Sequence, residues 1–338
     1  MTGTEPSDSP PPFGVVAIGR NEGERLQACL RSLSGKGAPI VYVDSGSSDG
    51  SQDFARSLPD VDVVDLDMSV PFTAARARNE GFERLLALHP GLELVQFVDG
   101  DCEIVDGWTD VAQATLHGDR SVAAVCGRRR ERFPDRSLYN RAIDLEWDTP
   151  VGEAMEFGGE VMMRVQALRE VGGYNPEIIA AEDTDTAIRM RELGWRLLRI
   201  DQPMSIHDAN ILELEQWWKR MVRGGHGTAE NEALHFGSPS FHRKGWTRST
   251  LFWGLAVPAG GVGLMLPTLG LSAFGASAGY AALFLKTELA ARRSGRSSEE
   301  ARAWAFNCTF GKIPEAVGHV RYWRNRLTKR TSEIIEYK

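Results

Sequence analysis

Short apolar runs alternate with helix-like patterns from residue 13 to about residue 200 of the chain. Apolar residues that follow one another over four to six positions are typical of strands buried on both faces. Five such runs are rich in Val and Ile and predict strands at residues 14–18, 40–43, 61–66, 94–98 and 122–126.

Helices are predicted between the first four strands. Leu26, Leu30 and Leu33 share one helix face by their spacing, and two more helices are predicted over residues 51–58 and 72–88. Strands and helices that alternate in this way predict an α/β fold with a mostly parallel sheet flanked by helices. In such a sheet the ligand lies beyond the C-terminal ends of the strands.

Polar clusters follow three of the predicted strands. Asn21 and Glu22 come after the first strand, Asp44 opens a Ser-Gly loop after the second, and Asp99 and Asp101 follow the fourth in the stretch DGD. Because the ends of parallel strands meet at one edge, these three clusters are expected to form one site.

The two aspartates of DGD need a positive charge near them. Asp99 and Asp101 repel each other. Burying an ionised carboxylate that has no positive partner costs roughly several kcal/mol. A hard divalent cation prefers oxygen ligands and could be reached by both carboxylates. A turn that merely happens to contain Asp and Gly is the alternative.

The C-terminal third has a different character. Residues 249–285 carry no formal charge, and basic residues flank them on both sides. Both flanks are expected to face the cytoplasm, which favours an apolar helical hairpin or a re-entrant pair. Pro258 and Pro267 interrupt the run. A single membrane span and a segment that lies on a surface or belongs to a soluble domain remain alternatives.

Two further helical patterns combine aromatic and basic residues. In residues 212–227, Trp217 and Trp218 are followed by Lys219 and Arg220, which suits an interfacial helix or, equally, a packing helix. In the C-terminal tail, the apolar side chains on one helix face lie among arginines. Such a helix could lie on anionic lipid or hold a lipid diphosphate. Packing on the catalytic domain is the alternative. The apolar side chains of this face are Val320, Trp323 and Leu327.

Charge is distributed unevenly along the 338 residues, whose formal net charge is −7. Residues 286–338 contain 12 Lys and Arg against 6 Asp and Glu, which is +6, and the remainder holds 27 against 40, which is −13. We therefore expect an anionic partner for the basic tail and no nucleic acid on the N-terminal body. The polar, proline-rich residues 1–12 predict a disordered leader.

Five motifs occur in order: VVAIGRNEGERLQACLRSL, IVYVDSGSSDGS, AARARNEGF, VQFVDGDCEI and AAEDTDTAIRMRELGWRL. Together they resemble the family 2 glycosyltransferases with the GT-A fold, over about residues 13 to 225. The tail is similar to endings found among membrane-associated exopolysaccharide and lipid-linked saccharide transferases. The sequence has neither a GxGxxG nor a GxxxxGK[ST] motif, which argues against dinucleotide enzymes and P-loop NTPases.

The resemblance implies a donor side for the site. Asn21 and Glu22 match the motif that lies against the donor nucleotide, Asp44 the aspartate at its base or ribose, and Arg78 the element near its diphosphate, with Asp99 beside them. Each residue also has a structural interpretation: Asn21 as a helix cap, Asp44 as a turn former and Arg78 as a surface arginine.

The resemblance also implies a metal centre and a base. Asp99 and Asp101 resemble the metal carboxylates, and His207, which closely follows a predicted strand at 195–200, is a plausible third ligand for Mn²⁺ or Mg²⁺. Asp183 of the EDTD stretch matches the family's catalytic base, and Glu182 is expected on the acceptor side. A solitary surface histidine and a helix that begins with acidic residues are the alternatives.

The resulting expectation is an inverting, metal-dependent transfer of one sugar at a time from a UDP- or GDP-sugar to a lipid-linked or cell-surface saccharide. Residues 13–235 would form the GT-A domain, and residues 236–338 a region that contacts membrane lipid at the cytoplasmic face of the inner membrane. Transfer to polyprenyl phosphate, a non-catalytic sugar-nucleotide binding protein and a nucleotidyltransferase are the alternative functions.

Overall fold

The computed structural model of the chain describes residues 12–336 with the exception of residue 331. The predicted leader therefore lies outside the described residues, apart from residue 12. Within the described part, the residues form two compact units, each treated separately below. The predicted domain boundary at residue 235 stays a prediction.

Nine strands of the described chain form one sheet, and the five strands predicted from apolar runs are confirmed. The predicted strand at 195–200 is longer than expected and extends to residue 207. The strands are β1 (Phe13–Gly19), β2 (Ile40–Asp44), β3 (Val61–Asp65), β4 (Leu94–Asp99), β5 (Cys102–Ile104), β6 (Val122–Glu131), β7 (Gly152–Glu153), β8 (Val161–Arg164) and β9 (Arg196–His207).

The helices include all three that the spacing of apolar residues predicts in the first hundred residues. They are α1 (Glu24–Leu33), α2 (Ser51–Arg56), α3 (Ala74–Leu88), α4 (Trp108–Gly118), α5 (Leu138–Glu146), α6 (Val165–Glu170), α7 (Glu182–Glu192), α8 (Leu214–Leu234), α9 (Lys244–Leu251), α10 (Val257–Gly263), α11 (Leu271–Arg293), α12 (Ser298–Phe310) and α13 (Lys312–Leu327).

The strand order is β3-β2-β1-β4-β8-β6-β9-β5, with β7 beside β9. The pairs β3–β2, β2–β1 and β1–β4 are parallel, as predicted, whereas β8 runs antiparallel to β4 and β6, and β5 runs antiparallel to β9. The sheet is therefore mixed rather than mostly parallel. Only Gly100 and Asp101 separate β4 from β5, so the alternation of strand and helix that predicts parallel pairing stops at β4.

The first unit comprises the described residues up to Arg130 together with residues 149–177 and 182–208. It contains the sheet apart from the last residue of β6, and its core is formed by strand side chains against α1, α3 and α4. On α1, the predicted face of Leu26, Leu30 and Leu33 is buried. On α3, Phe82, Leu85 and Leu86 are buried in the same way.

The second unit comprises residues 131–148, 178–181 and the described residues from 209 onward. Trp217 of α8 is buried and stacks on Tyr139, and its ring centre lies 5.0 Å from that of Phe306 on α12. Its ring N–H donates to Asn307 at 2.9 Å. Of the two interpretations of residues 212–227, the packing helix is therefore correct for Trp217. Its neighbour Trp218 is exposed.

The uncharged run 249–285 is helical, with a turn at 264–270 between α10 and α11. The two helices pack on each other: a side chain at Gly261 would meet Ala276 at 2.9 Å, and the Ser272 hydroxyl donates to the Gly261 carbonyl at 2.9 Å. Among the described residues, no helix combines the length and the apolar character that crossing a membrane requires.

Gly81 determines how closely α3 approaches the sheet. A Cβ at this position would overlap the side chain of Val16 on β1 and lie 2.9 Å from Val43 on β2. Both neighbours are buried, β-branched and stiff, so they cannot move aside easily. The glycine therefore lets α3 lie against two strands at once.

We expect Gly81→Ala to lower the free energy of unfolding by about 1–2 kcal/mol, because overpacking outweighs the gain in helix propensity. The matched control is Gly118→Ala at the end of α4, where a Cβ meets nothing within 4 Å. Urea denaturation of both variants measures the difference. A Gly81→Ala protein as stable as the parent would show that the helix can shift without cost.

Candidate active site

The C-terminal ends of β2, β1 and β4 lie side by side. Parallel register pairs Gly19 of β1 with Asp44 on one side, and Ile18 of β1 with Asp99 on the other. The two aspartates therefore lie on either side of the end of β1. The three polar clusters found in the sequence lie together at this edge of the sheet.

Asn21 joins the end of β1 to the loop after β2. Its backbone N–H donates to the Ser47 hydroxyl at 2.9 Å, and its side-chain oxygen accepts from the Ser48 N–H at 2.8 Å. Helix α1 has Gly23 as its N-cap, without a side-chain cap. The helix-cap interpretation of Asn21 is therefore wrong, and its backbone adopts a φ of 55°, which Asn tolerates better than most residues.

Asp44 is fully buried and its carboxylate is held by three donors. Oδ1 accepts from the Ser47 N–H and the Gln52 side chain, both at 2.7 Å, and Oδ2 accepts from the Tyr42 hydroxyl at 2.9 Å. Burial and the neighbouring Asp44 charge raise the pKa of Tyr42, so that the phenol stays a donor. Asp44 thus shapes the Ser-Gly loop. Its contact with a nucleotide stays a prediction.

The glycine of DGD brings the turn against β1. Its N–H donates to the Ile18 carbonyl at 2.7 Å, and a Cβ at Gly100 would lie 3.1 Å from that same oxygen. The close backbone approach favours glycine between the two aspartates. As a result, Asp99 ends β4 while Asp101 begins the turn into β5.

Arg78 is the cation that compensates Asp99. Its Nη2 lies 2.6 Å from Asp99 Oδ1, and its Nη1 lies 2.5 Å from Glu182 Oε1, at the start of α7 and 104 residues away. Only 2% of Arg78 is exposed, so the surface interpretation of this residue is wrong. One buried guanidinium therefore connects the DGD stretch to the EDTD stretch.

Asp101 is placed beside His207 instead. Antiparallel pairing of β5 with β9 sets Cys102 opposite His207, and the Asp208 N–H donates to the Asp101 carbonyl at 3.1 Å. This ladder brings His207 Nε2 to 3.2 Å from Asp101 Oδ2. His207 is thus the last residue of a strand, and buried, rather than a surface residue on a loop.

Ligand atoms of Asp101, Cys102 and His207 lie within 4.8 Å of one another. Burial, together with the charges of Glu160 and Asp101, raises the pKa of the Cys102 thiol well above its usual range. A protonated thiol is a poor ligand, which leaves a carboxylate and an imidazole as donors. Oxygen and nitrogen donors fit Mn²⁺ or Mg²⁺ better than a soft metal. Asp99, which we also predicted as a ligand, bonds to Arg78 and is not in this group.

Two buried charges beneath the site were missed in the sequence. Arg129 of β6 and Glu160, just before β8, form an ion pair at 2.5 Å, and the Cys102 thiol donates to Glu160 at 3.2 Å. Burial raises the pKa of Glu160, and Arg129 opposes that shift. The sequence signal for Glu160 was the glycine pair directly before it, Gly158 and Gly159. A Cβ at Gly159 would overlap Asp99 Oδ2, so this close approach to the site favours glycine.

Glu182 and Asp183 begin α7, so the interpretation as an acidic helix start is correct. Their catalytic roles stay predictions. Glu182 is buried against Arg78, and Asp183 is half-buried. Burial, then the charges of Glu182 and Glu156, raise the pKa of Asp183 to about 6. A carboxylate with a raised pKa is a stronger base than an ordinary aspartate and is still ionised at neutral pH.

The sequence profile named Glycosyl transferase family 2 matches residues 15–185, half of the 338 residues. This match contains the three strand-end clusters and the EDTD stretch, and ends before His207. It is the finding that establishes the family.

Individual relatives share about a quarter of their aligned residues with this chain. The succinoglycan biosynthesis protein ExoA of Rhizobium meliloti (strain 1021) is 23% identical over 237 residues, which cover 66% of this chain and 71% of that protein. The pre-mycofactocin glycosyltransferase of Mycobacterium tuberculosis (strain ATCC 25618 / H37Rv) is 26% identical over 237 residues, which cover 65% of this chain and 47% of the relative. Both extend the similarity beyond the family match.

Among solved structures, the mannosyltransferase PcManGT from Pyrobaculum calidifontis, in complex with GDP-Man and Mn²⁺, aligns with a TM-score of 0.59. The alignment covers 93% of this chain and 88% of that chain at 19% sequence identity. At this identity the similarity shows a common fold.

The raised pKa of Asp183 has a consequence for stability. Its folded-state pKa of about 6 exceeds the ordinary value of 3.8, so its ionisation opposes folding above pH 6, and this cost disappears as the pH falls towards 4. We expect Asp183→Asn to raise the free energy of unfolding by about 1–2 kcal/mol at pH 7.5, and by much less at pH 4. Thermal unfolding at both pH values measures this.

The control is Asp60→Asn, which removes an exposed carboxylate. We expect this variant to leave the stability unchanged at both pH values. An Asp183→Asn protein that is less stable than the parent at pH 7.5 would contradict a destabilising charge at this position.

Proposed function

This chain belongs to glycosyl transferase family 2, and on that premise we propose that it transfers a sugar from a nucleotide-sugar donor to a hydroxyl group of a saccharide, with inversion at the anomeric carbon. The observation that carries the proposal is the double ion pair of Arg78 with Asp99 and Glu182. It joins the acid at the end of β4 to the acids at the start of α7. The single side chain of Arg78 therefore contacts both the proposed donor side, at Asp99, and the proposed acceptor side, at Glu182.

We assign the donor side to the edge formed by β2, β1 and β4. Arg78 Nε is buried and has no hydrogen-bond partner among the described residues, while Nη1 and Nη2 bind Glu182 and Asp99, so that a diphosphate oxygen would reach this guanidinium by displacing one of these acids. An arginine is well suited to a diphosphate because its planar fork matches phosphate oxygens. The loop that Asn21 and Asp44 hold in place would border the nucleoside.

Asp101 and His207 would hold the divalent cation. The cation would neutralise charge on the departing nucleoside diphosphate when bound. In the solved mannosyltransferase the bound metal is Mn²⁺ with GDP-Man, which supports this donor class and cofactor for the present chain. A UDP- or GDP-sugar with Mn²⁺ or Mg²⁺ is our proposal.

Asp183 is our choice for the base. It would take the proton of the attacking hydroxyl while the new bond from that oxygen to the anomeric carbon forms and the bond to the diphosphate oxygen breaks. The electron pair leaves with the nucleoside diphosphate, and Asp183 ends protonated. Glu182, held by Arg78, would orient the acceptor.

A growing or lipid-linked saccharide at the cytoplasmic face of the membrane is the acceptor we propose. The name of the Rhizobium relative, a succinoglycan biosynthesis protein, supports a polysaccharide role. Addition of one sugar at a time agrees with the absence from the sequence of the QxxRW element of processive synthases: residues 216–221 read QWWKRM.

Removal of a cation ligand tests the metal assignment. We expect Asp101→Asn and His207→Ala each to lower transfer about 10³-fold, because several kcal/mol of charge stabilisation is lost. Release of nucleoside diphosphate from a panel of UDP- and GDP-sugars, titrated with Mn²⁺ or Mg²⁺, measures it. Chelation should abolish the activity of the parent protein.

Cys102→Ala is the matched control, since its protonated thiol lies in the same cluster. We expect it to keep its metal dependence. Loss of activity in Cys102→Ala together with full activity in His207→Ala would overturn the ligand assignment.

The base assignment predicts a pH profile. The rate on a hydroxyl acceptor should fall about tenfold per pH unit below pH 6, since Asp183 must be ionised to act. Asp183→Asn should lose about 10²–10⁴-fold in rate, and with it this pH dependence, while binding of nucleoside diphosphate by calorimetry stays unchanged. Full activity of Asp183→Asn on polyprenyl phosphate, whose attacking oxygen is already ionised, would instead favour the lipid-phosphate product.

A further inference from the structure

Helix α13 has one face packed within the second unit. Gly318, His319, Tyr322 and Asn325 are buried on this face. A Cβ at Gly318 would overlap the Val222 carbonyl of α8, so the two helices approach backbone to backbone. The position of α13 on α8 therefore determines which of its side chains point away from the unit.

The opposite face of α13 is apolar and exposed. Val317, Val320, Trp323 and Leu327 are 45%, 49%, 44% and 81% exposed. Their spacing places them along one stripe of the helix. Four large apolar side chains exposed along one stripe of a single helix mark a contact surface.

Positive charge surrounds this stripe. Residues 316–330 contain five basic side chains and no acidic one. Arg324 lies within the stripe, exposed and without an acidic partner among the described residues. Arg326 is exposed as well, lies 5.6 Å from the Trp323 ring centre and donates to the Tyr322 hydroxyl at 2.6 Å.

We propose that this face of α13, residues 317–330, binds the surface of an anionic phospholipid bilayer. The apolar stripe would enter the boundary between headgroups and acyl chains, while the arginines extend to the lipid phosphates. A cluster of four or more basic residues beside an apolar helix face is suited to anionic lipid in this way. The inference concerns the second unit and does not depend on the proposed sugar transfer.

Charge complementarity favours anionic lipid over other occupants. The whole chain has a net charge of −7, which would repel it from an anionic membrane. Any electrostatic attraction to anionic lipid must therefore come from the basic residues of this helix. Another exposed apolar segment, residues 262–274, contains no charged residue and would not distinguish anionic from neutral lipid. The two segments thus predict different lipid dependence.

Co-sedimentation of the full chain with vesicles tests the proposal. We expect binding to phosphatidylcholine vesicles that contain phosphatidylglycerol, little binding to phosphatidylcholine alone, and weaker binding at high salt. Arg324→Glu should reduce the partition coefficient about tenfold or more, and Arg324→Gln by less. Leu327→Ser should reduce it as well, with less effect of salt.

Arg302→Glu is the matched control, because this exposed arginine lies on α12 and the substitution changes the net charge by the same amount. It should bind vesicles as the parent does. All variants should keep the parent's thermal unfolding temperature and its release of nucleoside diphosphate in the absence of vesicles. Failure of vesicle binding in a protein that still transfers sugar would overturn this inference and leave the proposed function standing.

Three other results would also overturn the proposal. Equal binding to neutral and anionic vesicles would contradict charge recognition. Binding that persists in Arg324→Glu but is lost in a Leu266→Ser, Leu269→Ser double variant would move the contact to residues 262–274. A dimer in solution that Leu327→Ser dissociates, with no lipid binding in either protein, would assign the stripe to a second copy of the chain.

Discussion

A buried guanidinium among carboxylates is the interaction on which the site depends. Arg78 holds the half-buried Asp99 and the buried Glu182 at once, and burying an ionised acid such as Glu182 alone would cost roughly several kcal/mol. Removing one partner of such a group leaves the others uncompensated. The two ion pairs therefore fix the positions of Asp99 and Glu182 relative to each other.

The remaining acids have other neighbours. Asp101 lies beside His207, and Glu160 pairs with Arg129 below the same turn. Asp183 lies among acidic neighbours, which together with burial raise its pKa to about 6. Burial also raises the pKa of Glu160, so the site opposes the charge of two of its carboxylates, a pattern typical of acid–base chemistry.

The two units differ in what the sequence pattern made visible. In the first, runs of Val and Ile and the regular spacing of leucines are local signals, and they predicted the strands β1 to β4 and helices α1 to α3. In the second, residues 249–285 signalled an apolar segment, but their arrangement as helices on either side of a turn depends on packing, for example of Gly261 on Ala276. The orientation of β8 was likewise not a local property.

By itself, the sequence determined the elements and the strand-end clusters, because periodicity and turn chemistry act between neighbours in the chain. The candidates Asp183 and His207 came from the resemblance of the ordered motifs to a known family. The tertiary structure decided that Arg78 is buried between two acids, and that Glu160 lies under the site. Those contacts join residues up to about a hundred positions apart. They follow from strand order and register, which bring distant residues together and which no local pattern encodes.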